Sequence, residues 1–240
     1  MTTNAYDATA GMLASDSRWS TRTPSKKAFI YVDDASFDKL AVTADGNLAA
    51  MFAGDLNVIA SWKYWFCGPE SLVSDSPKPD GTNICLVDTS TREVVYEYKQ
   101  DVSGPNHRFT GTGSYHAFEC WQQNGCVIRA IKTAMSIDMS SGGTVRYLNL
   151  DTKEFNFCKE NDSASVLKGL VEKGMVMYSN TKNEAIPVSE AIKSDPEIRE
   201  LFKAATSGTL QMSAPCVGSI GPWPSEEKEK LKSVLSRYFK

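Results

Sequence analysis

The residue with the clearest capacity for chemistry is the threonine that directly follows the first methionine. Once the peptide bond before Thr2 is broken, one residue carries both a hydroxyl and a free α-amine. The hydroxyl attacks a carbonyl carbon only when a base takes its proton, and an α-amine with an ordinary pKa of about 7.7–8.0 is such a base near neutral pH. This start therefore predicts acyl transfer from an amide, provided that the rest of the chain can build a site around Thr2.

Composition narrows the class of protein. The chain has 240 residues, 41% of them hydrophobic and 23% charged, which is typical of one large domain or one domain with an appendage. A net charge of −3 offers no basic surface for a phosphate backbone, so we expect no nucleic-acid partner. No apolar run approaches the ~20 residues of a membrane span, and no basic stretch leads into an apolar segment at the N-terminus. We expect a cytoplasmic protein without a membrane partner.

The cysteines and histidines do not form a metal-binding pattern. No CxxC pair occurs, and His107 and His116 do not complete a ligand set. We expect reduced, mostly packed thiols, no metal and no cofactor. The cysteines are Cys67, Cys85, Cys120, Cys126, Cys158 and Cys216.

Two hairpins and a helix must position the first third of the chain. Strand-like residues on either side of a Gly-containing turn predict a hairpin with Thr2 at its start and Asp16 at its end. A second hairpin runs from Lys39 to Gly54 around an Asp-Gly turn, and its second strand is almost wholly apolar, as expected of a strand covered on both faces. A helix apolar on two sides follows from Asp55 to Phe66.

Alternating and helical patterns continue along the chain. Residues 20–27 and 68–82 read as loops. Strands are expected at 28–32, 84–87, 94–98, 144–150 and 154–158, and helices at 115–121, 126–138, 163–173, from Asp195-Pro196, and from a Ser225 cap to the C-terminus.

The order of these motifs resembles a known family. It comprises an N-terminal Thr-Thr, a strand ending in Asp16-Ser17-Arg18, a Lys before a hairpin that ends Met-Phe-Ala-Gly, a Gly-x-Gly-Ser turn, and a helix ending in Asp-x-x-Ser-Gly-Gly. Over residues 2–150 this resembles the β-subunits of the proteasome and the related proteolytic subunit of the bacterial ATP-dependent two-component protease. These proteins are N-terminal-nucleophile (Ntn) hydrolases.

The resemblance implies an α+β fold, namely a four-layer αββα sandwich. Residues 2–152 would form the Ntn core, and residues 153–240 would form a strand and helix extension packed on it. The spacings between the motifs imply a shortened helical layer, because the stretch from Gly54 to Gly111 and the helix pair before Asp138 are abbreviated.

The resemblance also implies a role for Thr2 and the residues nearest to it. Thr2 would be the nucleophile and its freed amine the general base. Lys39 would lower the pKa of the Thr2 hydroxyl, and Asp16 would hold the Lys39 ammonium in place. Gly54 would offer its backbone N–H to the oxyanion. Lys26 and Lys27 are rival lysines, but they lie too far before Gly54 to share its hairpin.

Three further residues would orient the Thr2 amine by hydrogen bonds. Asp138 and Ser141 belong to the Asp-x-x-Ser-Gly-Gly motif. Thr112 stands where the family's turn has a serine, and it keeps the hydroxyl.

The favoured function is a threonine-type endopeptidase acting on peptides or unfolded proteins. We expect a homo-oligomeric ring, because helix 55–66 and the apolar stripe Leu231–Phe239 both need cover, and the resemblance adds an ATP-dependent unfoldase as a partner. Two alternatives stay open: a catalytically silent, structural subunit, and an Ntn amidohydrolase acting on a small amide.

Overall fold

The computed structural model describes residues 2–69, 75–159, 162–179, 184–215 and 221–239. These ranges contain fourteen strands and seven helices. The mixed α+β class predicted from the sequence is confirmed. The strands are β1 Asn4–Asp7, β2 Met12–Ser15, β3 Trp19–Arg22, β4 Ala28–Val32, β5 Leu40–Val42, β6 Leu48–Asp55, β7 Thr82–Asp88, β8 Val94–Tyr98, β9 Val102–Ser103, β10 His107–Thr110, β11 Arg146–Asn149, β12 Met175–Tyr178, β13 Ala185–Pro187 and β14 Ser213–Ala214.

Two of the described helices begin at an aspartate whose side chain satisfies free backbone N–H groups. Asp55 accepts from Asn57 N at 2.8 Å and Val58 N at 3.2 Å, and Asp195 caps its helix in the same way. Ser225 was expected to be a cap but is the first helical residue and makes no capping bond. The helices are α1 Leu56–Cys67, α2 Ser114–Asn124, α3 Val127–Ile137, α4 Ala164–Lys173, α5 Val188–Ala191, α6 Pro196–Thr206 and α7 Ser225–Tyr238.

All described strand pairs are antiparallel and form two sheets. The first sheet has the order β11-β2-β1-β10-β9. The second has the order β13-β12-β4-β3-β14-β6-β7-β8, with β5 paired to β6. The predicted first and second hairpins are therefore β1–β2 in one sheet and β5–β6 in the other.

Successive side chains of a strand point to opposite faces of its sheet, and both faces of each sheet carry apolar residues. Tyr6 and Leu13 of the first sheet share a buried cluster with Met51 of the second, so these faces pack against each other. The neighbouring residues Ala5 and Ala14 point the opposite way, into a cluster with α2 and α3. The outer face of the second sheet packs against α1, α4, α6 and α7.

The C-terminal third of the chain is built into the second sheet. Strand β12 pairs with β4, and the short β14 lies between β3 and β6. Residues from 153 onward thus supply strands of the sheet as well as helices that lie against it. The apolar residues of α4, α6 and α7 belong to the same cluster as Trp19 and Phe52.

The two apolar surfaces that led us to expect an oligomer cover each other. Phe239, just after α7, lies 4.7 Å from Trp65 and 6.0 Å from Phe66 of α1, measured between ring centroids. Trp65 is 5% exposed and Leu231 of α7 is 2% exposed. The expectation that these surfaces need a second subunit is wrong, because the chain folds one onto the other.

Other local expectations were also wrong. The stretch read as a loop at 20–27 contains most of β3, which pairs with β4. The strand expected at 154–158 is reduced to an isolated bridge between Leu148 and Phe155. Part of the loop expected at 68–82 lies outside the described residues, namely 70–74. None of the helices in the described ranges is long and apolar enough to cross a membrane.

Candidate active site

The carboxylate of Asp16 lies at the centre of the candidate site. At the end of β2, its Oδ1 accepts a hydrogen bond from Thr2 Oγ1 at 2.5 Å and from Thr3 N at 2.8 Å. The same oxygen accepts from Lys39 Nζ at 2.8 Å. The β1–β2 pairing, with Asn4 opposite Ser15, brings the two ends of the hairpin together and so places Asp16 beside Thr2.

The second oxygen of Asp16 is bound by backbone. Oδ2 accepts from Arg18 N and from Gly142 N, each at 3.1 Å. A Cβ atom at Gly142 would lie 2.4 Å from the Arg18 guanidinium carbon, so a larger residue there would move that guanidinium away from Asp33 and the Met139 carbonyl oxygen. The turn after α3 is thereby tied to the first hairpin.

Lys39 is a buried cation directly before β5. Its side chain and that of Asp16 are both 0% exposed, and Nζ also donates to the Asp16 carbonyl oxygen at 2.8 Å. Burial lowers the pKa of Lys39, and attraction to the Asp16 carboxylate opposes that shift. The rivals Lys26 and Lys27 are exposed in the β3–β4 turn, so the structure brings Lys39 and neither rival to Asp16.

A second cluster surrounds Asp138, directly after α3. Asp138 Oδ2 accepts from Thr112 Oγ1 at 2.6 Å and from Ser141 Oγ at 2.9 Å. Ser141 Oγ also lies 2.7 Å from Thr3 Oγ1. Because the Ser141 proton goes to Asp138, Thr3 donates to Ser141, and a directed chain of hydrogen bonds runs from Thr3 through Ser141 to Asp138.

The Gly111–Gly113 turn is pressed against the backbone of the first residues. Gly111 has φ +104°, and a Cβ atom there would lie 2.0 Å from the Thr2 carbonyl oxygen. Gly113 N donates to that oxygen at 3.4 Å. Asp101 Oδ2 accepts from Gly111 N at 2.6 Å and so holds the turn in place. Glycine is needed at 111 for both reasons, conformation and space.

Gly54 is connected to the site through its strand. It lies near the end of β6 with φ +136°, a conformation that favours glycine. Phe52, two residues earlier, accepts a hydrogen bond from Asn4 Nδ2 at 2.9 Å, which links β6 to the start of β1. The oxyanion role of Gly54 stays a prediction.

Six of the seven predicted residues enter two hydrogen-bonded clusters, Thr2–Asp16–Lys39 and Thr112–Asp138–Ser141. Thr3, the residue that joins the clusters, was missed, although the repeated threonine was the signal that could have found it. The bonds from Gly142 and Arg18 to Asp16 come from backbone N–H groups. Because almost every residue type has such a group, these bonds could not be predicted from the sequence. Asp101 was also missed, since a lone Asp between polar residues is ordinary loop chemistry.

Thr2, the candidate nucleophile, is closed to solvent. Thr2 is 0% exposed and Asp16 is 1% exposed, while Met1 lies outside the described residues. Ser141 contacts the Thr3 hydroxyl, and Asp138 contacts Ser141 and Thr112, so the role of both residues at a freed Thr2 amine stays a prediction.

In the described ranges, no group of three or more His, Cys, Asp or Glu side chains could hold a metal ion. No family model matches the chain, and no curated protein matches it at a significant level.

Proposed function

We propose that the chain is an Ntn hydrolase of the proteasome-like αββα type that cleaves peptide bonds with Thr2 as its nucleophile. The observation that carries this proposal is the buried arrangement Thr2–Asp16–Lys39, in which one carboxylate oxygen binds both the hydroxyl and the ammonium. Two sheets packed face to face with helices on both outer sides support the fold assignment. The resemblance of the ordered motifs adds to both.

The reaction begins when the bond before Thr2 is broken. The freed amine takes the proton of Oγ1, and Oγ1 attacks the substrate carbonyl carbon. The carbonyl oxygen becomes an oxyanion that the Gly54 N–H stabilises. As the C–N bond breaks, the Thr2 ammonium passes its proton to the leaving nitrogen, so the amine part of the peptide departs, an ester remains on Thr2 and the Thr2 amine is neutral again. Water then hydrolyses the ester, with the same amine as base.

The Asp16–Lys39 pair next to the Thr2 hydroxyl supplies electrostatic stabilisation of the reacting oxygen. An ammonium at Lys39 favours negative charge that develops on Oγ1 as its proton leaves. Asp16 fixes the position of that ammonium and of the hydroxyl, and the backbone donors on its second oxygen hold the carboxylate still. In this proposal Ser141 and Asp138, which are linked to the Thr3 hydroxyl, orient the freed Thr2 amine by hydrogen bonds.

A peptide or unfolded protein is the substrate class that we favour. A ring of identical subunits served by an ATP-dependent unfoldase remains part of the proposal on the ground of resemblance, since the apolar surfaces of α1 and α7 no longer support it. The complete burial of Thr2 favours a second candidate, an Ntn amidohydrolase for a small amide, because a small substrate needs less space around a buried residue than a polypeptide does.

The deciding experiment uses the full chain fused behind a removable domain whose cleavage leaves Thr2 as the first residue. Cleaved and uncleaved protein are incubated with a fluorogenic peptide library, with a set of small amides, and with a peptide epoxyketone. We expect turnover and a mass increase on Thr2 only in the cleaved protein. Thr2→Ser serves as the control that keeps a hydroxyl, and Thr2→Ala removes it.

The outcomes separate the candidates. Turnover of peptides supports the peptidase, and turnover of small amides alone supports the amidohydrolase. An inactive, correctly cleaved protein that does not react with the epoxyketone would overturn both and favour the silent subunit. Activity in Thr2→Ala would exclude Thr2 as the nucleophile.

A further inference from the structure

A second group of reactive side chains surrounds a small cavity at the C-terminal end of α1, next to β5. The cavity has a volume of about 160 Å³, room for about five water molecules. Its walls include Lys63, Cys67, Cys158, Thr43 and Phe157. None of these residues has a part in the proposed hydrolysis.

Lys63 brings a buried positive charge to this cavity. It is 1% exposed, its Nζ donates to the Asp38 carbonyl oxygen at 2.8 Å, and it lies 4.4 Å from the centre of the Phe37 ring. Burial lowers the pKa of Lys63, and negative charge on Asp38, Cys67 and Cys158 opposes that shift. Lys63 therefore places a positive charge beside both cysteines that line the cavity.

The two cysteines come from different parts of the chain. Cys67 ends α1, while Cys158 follows the isolated bridge at Phe155 and donates its backbone N–H to Asp38 Oδ2 at 2.7 Å. Both side chains are partly exposed, and neither is in a disulfide. A small solute can therefore reach two thiols that line one cavity beside one lysine.

The other described cysteines differ in ways that matter for reactivity. Cys85 is completely buried and its pKa is raised by that burial, so it is a poor nucleophile. Cys120 accepts hydrogen bonds at its sulfur from Asn124 and Thr133 on α2 and α3. Cys126 is exposed directly before α3 and belongs to a different surface.

We propose that Cys67 and Cys158 are an oxidation site that closes to a disulfide when the protein meets a hydroperoxide. One thiolate attacks a peroxide oxygen, the O–O bond breaks, and water or an alcohol leaves, which gives a sulfenic acid. The second thiol attacks that sulfur, the S–O bond breaks, and water leaves as the S–S bond forms. Two thiols are oxidised and one peroxide is reduced.

The disulfide acts on the segment that carries Lys39. Asp38 directly precedes Lys39 and is bound by both walls of the cavity, through Lys63 Nζ at its carbonyl oxygen and Cys158 N at its carboxylate. Drawing Cys158 towards α1 disturbs that second bond and shifts Lys39. A misplacement of about 1 Å in a catalytic group lowers turnover by up to about 10²-fold. This consequence rests on the proposed function, whereas the cross-link itself does not.

The test uses the full chain treated with hydrogen peroxide or with a thiol reductant. Peptide mapping without reduction reads the cross-link, and turnover of the peptide substrate is followed in parallel. We expect a peptide pair joined through Cys67 and Cys158, and a loss of turnover that the reductant restores. Cys67→Ser and Cys158→Ser should each abolish both effects, whereas the matched control Cys126→Ser should show both.

Contrary results are equally specific. Oxidation that joins neither cysteine to the other, in protein whose melting temperature shows it folded, overturns the site. A Cys67–Cys158 cross-link with unchanged turnover overturns the coupling to Lys39. If the protein hydrolyses no substrate at all, the peptide map still decides the cross-link, so failure of the proposed function is distinguished from failure of this proposal.

Discussion

One buried lysine directly precedes the chain's second hairpin and another lies in the helix after it, and the two differ in what they bind. Lys39 and Lys63 are each 1% exposed, and burial lowers the pKa of both. Lys39 donates to a carboxylate oxygen of Asp16 and also to the Asp16 carbonyl. Lys63 donates to the neutral carbonyl oxygen of Asp38 and faces the Phe37 ring.

The difference shows that burial of a charge does not by itself identify a catalytic group. Desolvation disfavours both ammonium groups, so each position needs a compensating reason to keep its lysine. At Lys39 the compensation is the Asp16 carboxylate, and the same oxygen of Asp16 also binds the Thr2 hydroxyl. At Lys63 no nucleophilic hydroxyl takes part in the contacts described above, and the neighbouring thiols are the groups that its charge affects.

Lys39→Met should have the largest effect. Removal of the ammonium beside the nucleophile should lower kcat by about 10²- to 10⁴-fold. It also leaves the Asp16 carboxylate buried without its cation, which destabilises the fold by about 3–5 kcal/mol. Steady-state kinetics at a temperature below the variant's melting point, together with urea unfolding, measure the two effects separately. A stable variant that keeps full turnover would contradict the site.

The pH dependence of turnover should give the next largest effect. The Thr2 amine must lose its proton to act as base, so kcat should rise through about pH 8. It should fall again at a pH below the ordinary lysine value of 10.5, because the pKa of Lys39 is lowered. Rate measurements between pH 6 and about 10 cover the rise and the alkaline fall of kcat.

The stability over the same range should not fall on account of Lys39. Between its lowered folded pKa and 10.5, the unfolded chain holds a proton that the folded chain lacks, so the contribution of Lys39 to the free energy of unfolding rises with pH. The alkaline loss of kcat is therefore expected without unfolding, as monitored by circular dichroism. Lys63→Met should keep the alkaline fall in kcat. If that fall is absent in Lys63→Met, it reports the ionisation of Lys63 and not of Lys39.

Lys63→Met should have a smaller effect on stability and little effect on kcat. The substitution leaves a neutral carbonyl oxygen of Asp38 without that donor, which costs about 1–3 kcal/mol, and part of this is offset because a buried charge is removed. Urea unfolding and peptide turnover, run beside Lys39→Met, make the comparison direct. Equal loss of kcat in the two variants would show that the buried lysines act as one unit.

Local patterns explain why much of this architecture could be predicted. The β5–β6 hairpin follows from a turn at Asp45-Gly46 between apolar strands, and Gly46 has φ +77° as that turn requires. The Asp55 cap and the apolar faces of α1 and α3 follow from spacing alone. The candidate residues themselves were predicted from the resemblance of the ordered motifs rather than from these local patterns.

The remainder depends on contacts between residues far apart in the chain. Strand β14 has two residues and pairs with β3 and β6, which no local pattern indicates. Phe239 packs on Trp65 across more than half of the chain, so the apolar stripe on α7 could be recognised but not its partner. Thr3 reaches Ser141 in the same non-local way. Such contacts follow from the packing of whole layers rather than from periodicity.

Lys27→Ala should have the smallest effect, and it extends the comparison to an exposed lysine. Lys27 was a rival for the role of Lys39, but it is exposed in the turn between β3 and β4. An exposed side chain away from caps and buried pairs changes stability by only about 0.5 kcal/mol when it is truncated. The Lys27 carbonyl oxygen accepts a hydrogen bond from Ser179 N at 2.8 Å, and the variant keeps this bond. We therefore expect unchanged kcat and an almost unchanged melting temperature. The contrary outcome is that Lys27→Ala loses turnover at a constant melting temperature while Lys39→Met keeps full turnover. That result would give the catalytic role to the exposed lysine and overturn the assignment drawn from the Asp16 contacts.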